Sequence, residues 1–271
     1  MSRFTLSCTT CAARMPGKDE ILECFEHAPK AGYKYWGMAG PALRNGWGHA
    51  RWFNTDLLNR LAAESGLVGC TEVYGHPLPT SSVAVAESYA ASLALIAEAA
   101  QKIRSPLLVF TGGKRQPGGL EATIAGIKKL LPLVADRPVK LAIEPHYRTQ
   151  IQNRADYDQI LSEINTPKVG ITIDVGHFHS AGVDWRALIH AYPDRIYNIH
   201  VKDHVGTQSV PIGAGEIDLR GLIEELHAID YSGPLAVELE VVDPENLPRY
   251  CAEAYTYLRD LVKSVSGRLP E

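Results

Sequence analysis

Eight short runs of apolar and β-branched residues, each followed by a helical or loop segment, constrain this chain more than any other feature of its sequence. The runs cover residues 4–8, 33–37, 67–74, 107–111, 140–144, 169–174, 196–201 and 235–239. Their near-continuous apolar character is that of strands buried on both faces. Strands that alternate with helices run parallel, because parallel neighbours need a crossover connection. An open doubly wound sheet with a dinucleotide site would want Gly-x-Gly-x-x-Gly directly after its first strand. Here Thr9-Thr10-Cys11 follows instead. Gly112-Gly113 after the fourth run is too little for a phosphate loop. The expected fold is therefore α/β, a (β/α)₈ TIM barrel. One such barrel takes about 250 residues, so the 271 residues here are expected to form a single domain, residues 1–271.

The segments between strands carry helical patterns. Asp218 reads as an N-cap, with Leu219, Leu222, Ile223, Leu226 and Ile229 at helical spacing and Gly233 as the break that follows. Tyr157, Ile160, Leu161 and Ile164 mark a shorter helix, and the alanine-rich stretch 82–104 is long enough for two.

Composition narrows the partners. A formal charge of −4 gives no electrostatic reason to expect nucleic acid or an anionic membrane. No apolar run approaches the ~20 residues of a membrane span, and the opening residues lack the apolar stretch of a secretory signal. Five cysteines, an odd number thinly spread, point to reduced thiols and a cytoplasmic setting. Cys8 and Cys11 have the spacing of a redox or zinc pair, but no second such pair exists to complete a site.

In this barrel the active site lies at the carboxyl ends of the strands. The fifth run ends in Glu144, the sixth in Asp174, the seventh reaches His200, and the eighth carries Glu238 with Glu240 just beyond. Singly, each has a plain reading as a strand residue reaching solvent. Together, four consecutive strands place metal-competent groups at one height on one barrel end. Three carboxylates gathered there repel one another unless a cation is present. Three oxygens and one imidazole suit Mn²⁺, Mg²⁺, Co²⁺ or Zn²⁺. Lys202 follows His200 by two residues and is expected to face the same cavity. The sequence leaves Glu240 open as an alternative to Glu238.

The motifs around these residues carry a resemblance. They are Leu141-Ala-Ile-Glu144-Pro145, Ile173-Asp174-Val-Gly-His177, Asn198-Ile-His200-Val-Lys202-Asp203, Pro211-Ile-Gly-Ala-Gly-Glu216-Ile-Asp218 and Gly233-Pro-Leu-Ala-Val-Glu238. In this order they resemble the xylose-isomerase-like superfamily, also described as the sugar phosphate isomerase/epimerase family. The resemblance covers the second half of the chain; the first half matches only in its strand–helix rhythm. It implies one divalent ion held by Glu144, Asp174, His200 and Glu238, with His177 (or His179) contacting substrate. It also implies proton movement next to a carbonyl, with Glu144 and Glu238 as the acid–base pair. The expected activity is epimerisation or isomerisation of a ketose, keto-inositol or related keto-sugar. A dehydratase or other lyase is the alternative, since the second proton need only go to a leaving hydroxyl.

Substrate choice is expected to lie with the earlier loops. Trp36 and His76, at the second and third strands, are candidate substrate contacts beside His177 and Lys202. The segment 37–52 adds Arg44, Trp47, His49, Arg51 and Trp52, aromatic and basic groups that suit a polyol. Lys114 and Arg115 after the fourth strand could hold an anionic group. Two rivals are weighed and set lower. An abasic-site endonuclease of the same superfamily would need a further histidine after strand four and an Asp-x-His beyond strand seven, and neither is present. A non-catalytic sugar-binding barrel need not keep all four ligands. The partner is thus a small sugar or polyol, and barrels of this kind often pair as homo-oligomers.

Overall fold

The apolar runs pair edge to edge into a closed ring. The structure, a computed structural model, describes residues 3–39 and 54–271. Seven strands alternate with helices along the chain: β1 (Arg3–Thr9), β2 (Tyr35–Met38), β3 (Gly69–Tyr74), β4 (Leu107–Phe110), β5 (Lys140–Ile143), β6 (Val169–Asp174) and β7 (Ile196–Val201). A short antiparallel hairpin, β8 (Asp203–Val205) and β9 (Gln208–Val210), precedes the last barrel strand, β10 (Ser232–Val237). Around the ring the order is β1-β2-β3-β4-β5-β6-β7-β10, and every pairing is parallel. Leu6 opposite Leu235 closes it. This is a (β/α)₈ TIM barrel. Fully buried β-branched and leucine side chains, such as Leu108, Leu141, Val169 and Ile171, alternate away from the lumen and pack between the ring and its helices.

The helices that clothe the ring are α1 (Glu20–Ala31), α2 (Thr55–Ser65), α3 (Val83–Lys102), α4 (Gly119–Leu133), α5 (Arg154–Glu163), α6 (Val175–Ala181), α7 (Arg186–Ala191), α8 (Leu219–Ala228) and α9 (Leu247–Ser266). Their starts follow local chemistry. The Asp218 carboxylate accepts from the Gly221 amide at 2.9 Å, and Asn153 with Asp156 forms a reciprocal capping box on α5.

Several sequence expectations need correction. Gly233 lies inside β10 rather than marking a break. Asp230 instead makes the left-handed turn after α8, with φ 54°, a conformation aspartate tolerates. The stretch 82–104 holds one helix, not two. Ala86, Ala90, Leu93, Ala97 and Ala100 recur at helical spacing on one fully buried face, and no glycine or proline interrupts it. That same helix, with mean hydropathy 1.4 over its most apolar stretch, is long and apolar enough by length and composition to cross a membrane. The expectation that no run approaches that length is therefore overturned. Its charges sit so far apart that interleaved alanines keep the mean high. All five cysteines are free and buried. Cys8 lies 3.4 Å from Cys251 on α9, and Cys11 lies 3.0 Å from the Thr9 hydroxyl, so the two do not face each other as a pair.

The hairpin after β7 was not legible in the sequence, and one side chain organises it. Asp203 is buried, and its carboxylate accepts from the backbone amides of His204, Gly213, Gly215 and Ile217 at 2.9–3.2 Å. A side chain at Gly215 would collide with that carboxylate. The Gly-Ala-Gly segment is thus a mould around an internal anion. Replacing Asp203 with alanine strands these amides, and losing charged hydrogen bonds costs about 2–4 kcal/mol in total. Urea unfolding is expected to show that loss while far-ultraviolet dichroism keeps its barrel signature; an unchanged midpoint would refute the assignment.

Candidate metal centre

Barrel register brings four side chains to one point. Glu144 follows β5, fixed by its amide bond to the Phe110 carbonyl at 2.9 Å, and Glu238 follows β10, its amide 3.1 Å from the Val201 carbonyl. Asp174 ends β6 and does two jobs. Its Oδ1 accepts from the His177 amide at 2.7 Å, capping α6, and its Oδ2 is left to the lumen. His200 lies opposite Asp174 in the β6–β7 register. All four are buried, and one ligand atom from each lies within 4.8 Å of the others. His200 Nδ1 stands 2.6 Å from Glu144, 3.5 Å from Asp174 and 3.6 Å from Glu238.

The electrostatics of this cluster are those of a site built around positive charge. Burial pushes the Glu144 carboxyl above its ordinary range, against the pull of His200. Burial also opposes charge on Asp174, yet His177, Lys202 and His200 hold it well below the usual carboxylate range. The His200 ring is disfavoured as a cation by burial, but Glu238, Glu72 and Glu144 overcome that and raise it. Asp174 Oδ2, although buried, makes no hydrogen bond; its nearest cationic atom is Lys202 Nζ at 3.1 Å. An orphaned carboxylate oxygen among two other carboxylates and an imidazole fits a divalent cation. These four residues could hold one.

Lys202 is buried beside the cluster. Its ammonium stands 2.9 Å from Glu238, 2.9 Å from Glu240 and 3.5 Å from His177 Nε2. Burial works against its charge, and Asp174, Glu238 and Glu240 more than restore it. Glu240 is half exposed and is drawn down to about 2 by Lys202, so it serves the ammonium rather than the four-residue cluster. His177 comes within 3.9 Å of Asp174 and stacks on His146, ring centroids 3.8 Å apart. Burial takes its ring down to about 3, leaving it neutral. His179 instead faces Glu216 at 3.3 Å.

Two sequence candidates are placed elsewhere. Trp36 is buried edge-on against Phe25 of α1, centroids 4.8 Å apart, in the layer between strand and helix. Strand alternation turns it away from the lumen. His76 bonds Ser92 of α3 at 2.5 Å and packs on Tyr89, so it faces that helix. Neither is brought to the cluster. Arg115 is spent on a two-pronged pair with Asp156 at 2.9 and 3.1 Å. Arg44, Trp47, His49, Arg51 and Trp52 lie outside the described residues.

Sequence reasoning missed Glu72. It sits on β3, 2% exposed, with Oε2 at 2.9 Å from His200 Nε2 and accepting from Asn198 Nδ2. A signal existed: a carboxylate inside an apolar parallel strand must find a buried partner. Tyr74, two residues on, is buried near Glu144, whose negative charge adds to burial in holding its phenol protonated, and its strand position carried a similar hint.

A closed parallel barrel with a buried carboxylate–imidazole cluster at its strand ends defines a class of barrels able to seat a divalent cation. The family model described as xylose isomerase-like TIM barrel matches residues 25–261, and the chain belongs to that family. It is similar to inosose dehydratase of Geobacillus thermodenitrificans, 28% identical over 159 residues, 51% of this chain and 53% of that protein. The inosose dehydratase of Glaesserella parasuis is 29% identical over 161 residues, 50% of this chain and 53% of that one. The chain spans about half the length of the curated relatives it matches. Among solved structures, the IOLI protein with a bound zinc atom superposes with a TM-score of 0.78 at 17% identity, covering 96% of this chain and 99% of the other. D-allulose 3-epimerase from Methylomonas sp., in complex with D-allulose, superposes at 0.76 and 18% identity, covering 96% and 98%. At such identities the likeness is one of fold.

A cation bound only by the folded state stabilises it by about 2.7 kcal/mol at 100 times its Kd. For a chain of this size that corresponds to a rise in Tm of about 5–10 °C. Mn²⁺ or Zn²⁺ is expected to produce that rise in the wild-type protein and in Glu240→Gln, and to lose it in Glu238→Gln. Equal shifts in both variants would remove Glu238 from the ligand set.

Proposed function

We propose that this chain acts as one barrel domain, residues 1–271, catalysing metal-dependent epimerisation or isomerisation of a keto-sugar or keto-inositol by proton transfer next to a carbonyl. The observation that carries this reading is the buried cluster of Glu144, Asp174, His200 and Glu238 at the carboxyl ends of four consecutive barrel strands. A divalent ion held there (manganese, magnesium, cobalt or zinc) would supply the positive charge that stabilises an oxyanion forming beside the reacting carbon.

The remaining work falls to the chain's own groups. β5 and β10 are the two ends of the four-strand arc, so Glu144 and Glu238 approach a substrate from opposite sides. Burial raises Glu144 toward the range where a carboxylate accepts a proton readily at neutral pH. Glu238 lies against the Lys202 ammonium at 2.9 Å. One carboxylate removes the proton and the other returns it to the opposite face. His177, neutral and beside Asp174, and Lys202 supply a hydrogen-bonding rim for hydroxyl groups.

Dehydration of a keto-inositol is the second reading, supported by the 28–29% identity to inosose dehydratases. It uses the same first proton abstraction and differs in delivering the second proton to a leaving hydroxyl. Incubation with ketohexoses and inososes in D₂O with Mn²⁺ separates the two. Deuterium at carbon with the substrate mass otherwise retained is the expected result, and loss of water selects the lyase. If no compound in the panel shows exchange or loss of water, the proton-transfer reading on this substrate class is overturned. Glu144→Gln is expected to slow exchange at least ~100-fold, the usual scale for losing a general base.

A further inference from the structure

The lumen holds another buried carboxylate beside the four-residue cluster, and its partners define a task for it. β3 and β7 are diametrically opposite in the strand order, so Glu72 reaches across the barrel to meet Asn198 and His200. Its Oε2 accepts from Asn198 Nδ2 and stands 2.9 Å from His200 Nε2. Among the described residues no lysine or arginine pairs with it; its ion-pair partner is the His200 ring. Gly37 on β2 keeps its place clear. A Cβ there would come 2.8 Å from Glu72 Oε1 and 2.9 Å from Cγ. Burying a carboxylate with no basic partner but an imidazole is costly. Space cleared for it on one strand, and a donor supplied by another, mark a built contact.

A neutral imidazole has one N–H and one lone pair. His200 turns Nδ1 toward Glu144, Asp174 and Glu238, so it can ligate a cation only with its proton on Nε2. An ionised carboxylate at Nε2 can only accept. We propose that Glu72 is a positioning residue that holds the Nε2–H tautomer and the ring orientation of His200, aiming the Nδ1 lone pair at the cation site. Asn198 and Gly37 in turn hold Glu72. This rests on the metal-centre reading and extends it to a residue from the far side of the barrel. Partners of this kind behind a metal-bound imidazole are worth about 10–100-fold in metal affinity.

The test uses the whole chain, titrated with Zn²⁺ by calorimetry and observed by ¹⁵N NMR after histidine labelling. Glu72→Gln keeps the shape and an acceptor oxygen but no charge; Glu72→Leu keeps neither. Zinc affinity is expected to fall about 10-fold in the first and about 100-fold in the second, with unchanged circular dichroism. In the zinc-loaded wild type, His200 is expected to show a metal-bound Nδ1 and a strongly deshielded Nε2–H, and that proton signal moves upfield in Glu72→Gln. The NMR signature stands even if the leucine variant fails to fold. Wild-type affinity in both variants, or metal bound through Nε2, overturns the role of Glu72 alone. A wild-type protein that takes up no zinc overturns the metal-centre reading and this inference with it.

Discussion

Repulsion among carboxylates buried in one lumen is the constraint around which the site is arranged. Two unit charges of like sign about 4 Å apart, at the effective dielectric of a protein, repel by about 4 kcal/mol. A few such pairs rival the 5–15 kcal/mol net stability of a whole domain. Glu144, Asp174 and Glu238 converge within 4.8 Å, and Glu72 adds a fourth carboxylate behind His200. Among the described residues the protein answers with the Lys202 ammonium and the His200 imidazole, both fully enclosed, and with His177 at the edge of Asp174. Among the described residues, four carboxylates outnumber the cationic groups beside them, an imbalance that a divalent cation at the cluster would relieve.

The same constraint explains why the barrel was readable and the site only partly so. Strands buried on both faces leave an unbroken apolar run, and β6 and β7 fall on the residues where that signal predicts them. The four clustered residues were readable because each ends such a run, where side chains of one height converge. Glu238 and Glu240 could not be separated by spacing, since both project to one side. The structure separates them: both meet the Lys202 ammonium, but Glu238 is buried within the cluster and Glu240 is half exposed outside it. Trp36 and His76 misled because a residue near a strand's carboxyl end can face either lumen or helix. Alternation decides that, and the shifted register at Trp36 and Gly37 disturbs the count. Glu72 escaped notice because its role depends on a strand 126 residues away in sequence, which no local pattern reports.

The motif rich in glycine after β9 teaches a related point. Its two glycines resemble an anion-binding loop, and they do bind an anion, the chain's own Asp203. The adjacent residue, Lys202, belongs to the site. Holding Asp203 from four amides fixes the backbone immediately after Lys202, so the ammonium is aimed by its neighbour's hydrogen bonds as well as by the carboxylates it meets.

The alanine-rich helix α3 has a consequence for how the chain reaches this state. The ring closes only when β10 pairs with β1, joining Arg3 to Ser232 across most of the sequence. Such long-range pairing forms late. The buried face of α3 meets α4, where Gly126 lies against Ala86, and the end of β3, where Gly75 lies against Leu93, so it stays partly bare until α4 has followed it. During synthesis the chain therefore carries a helix long and apolar enough by length and composition to cross a membrane before the segment that covers it has emerged. Transiently bare surface of this kind invites chaperones or aggregation, so the small side chains that let α3 pack closely in the finished barrel also leave it open to misrouting beforehand.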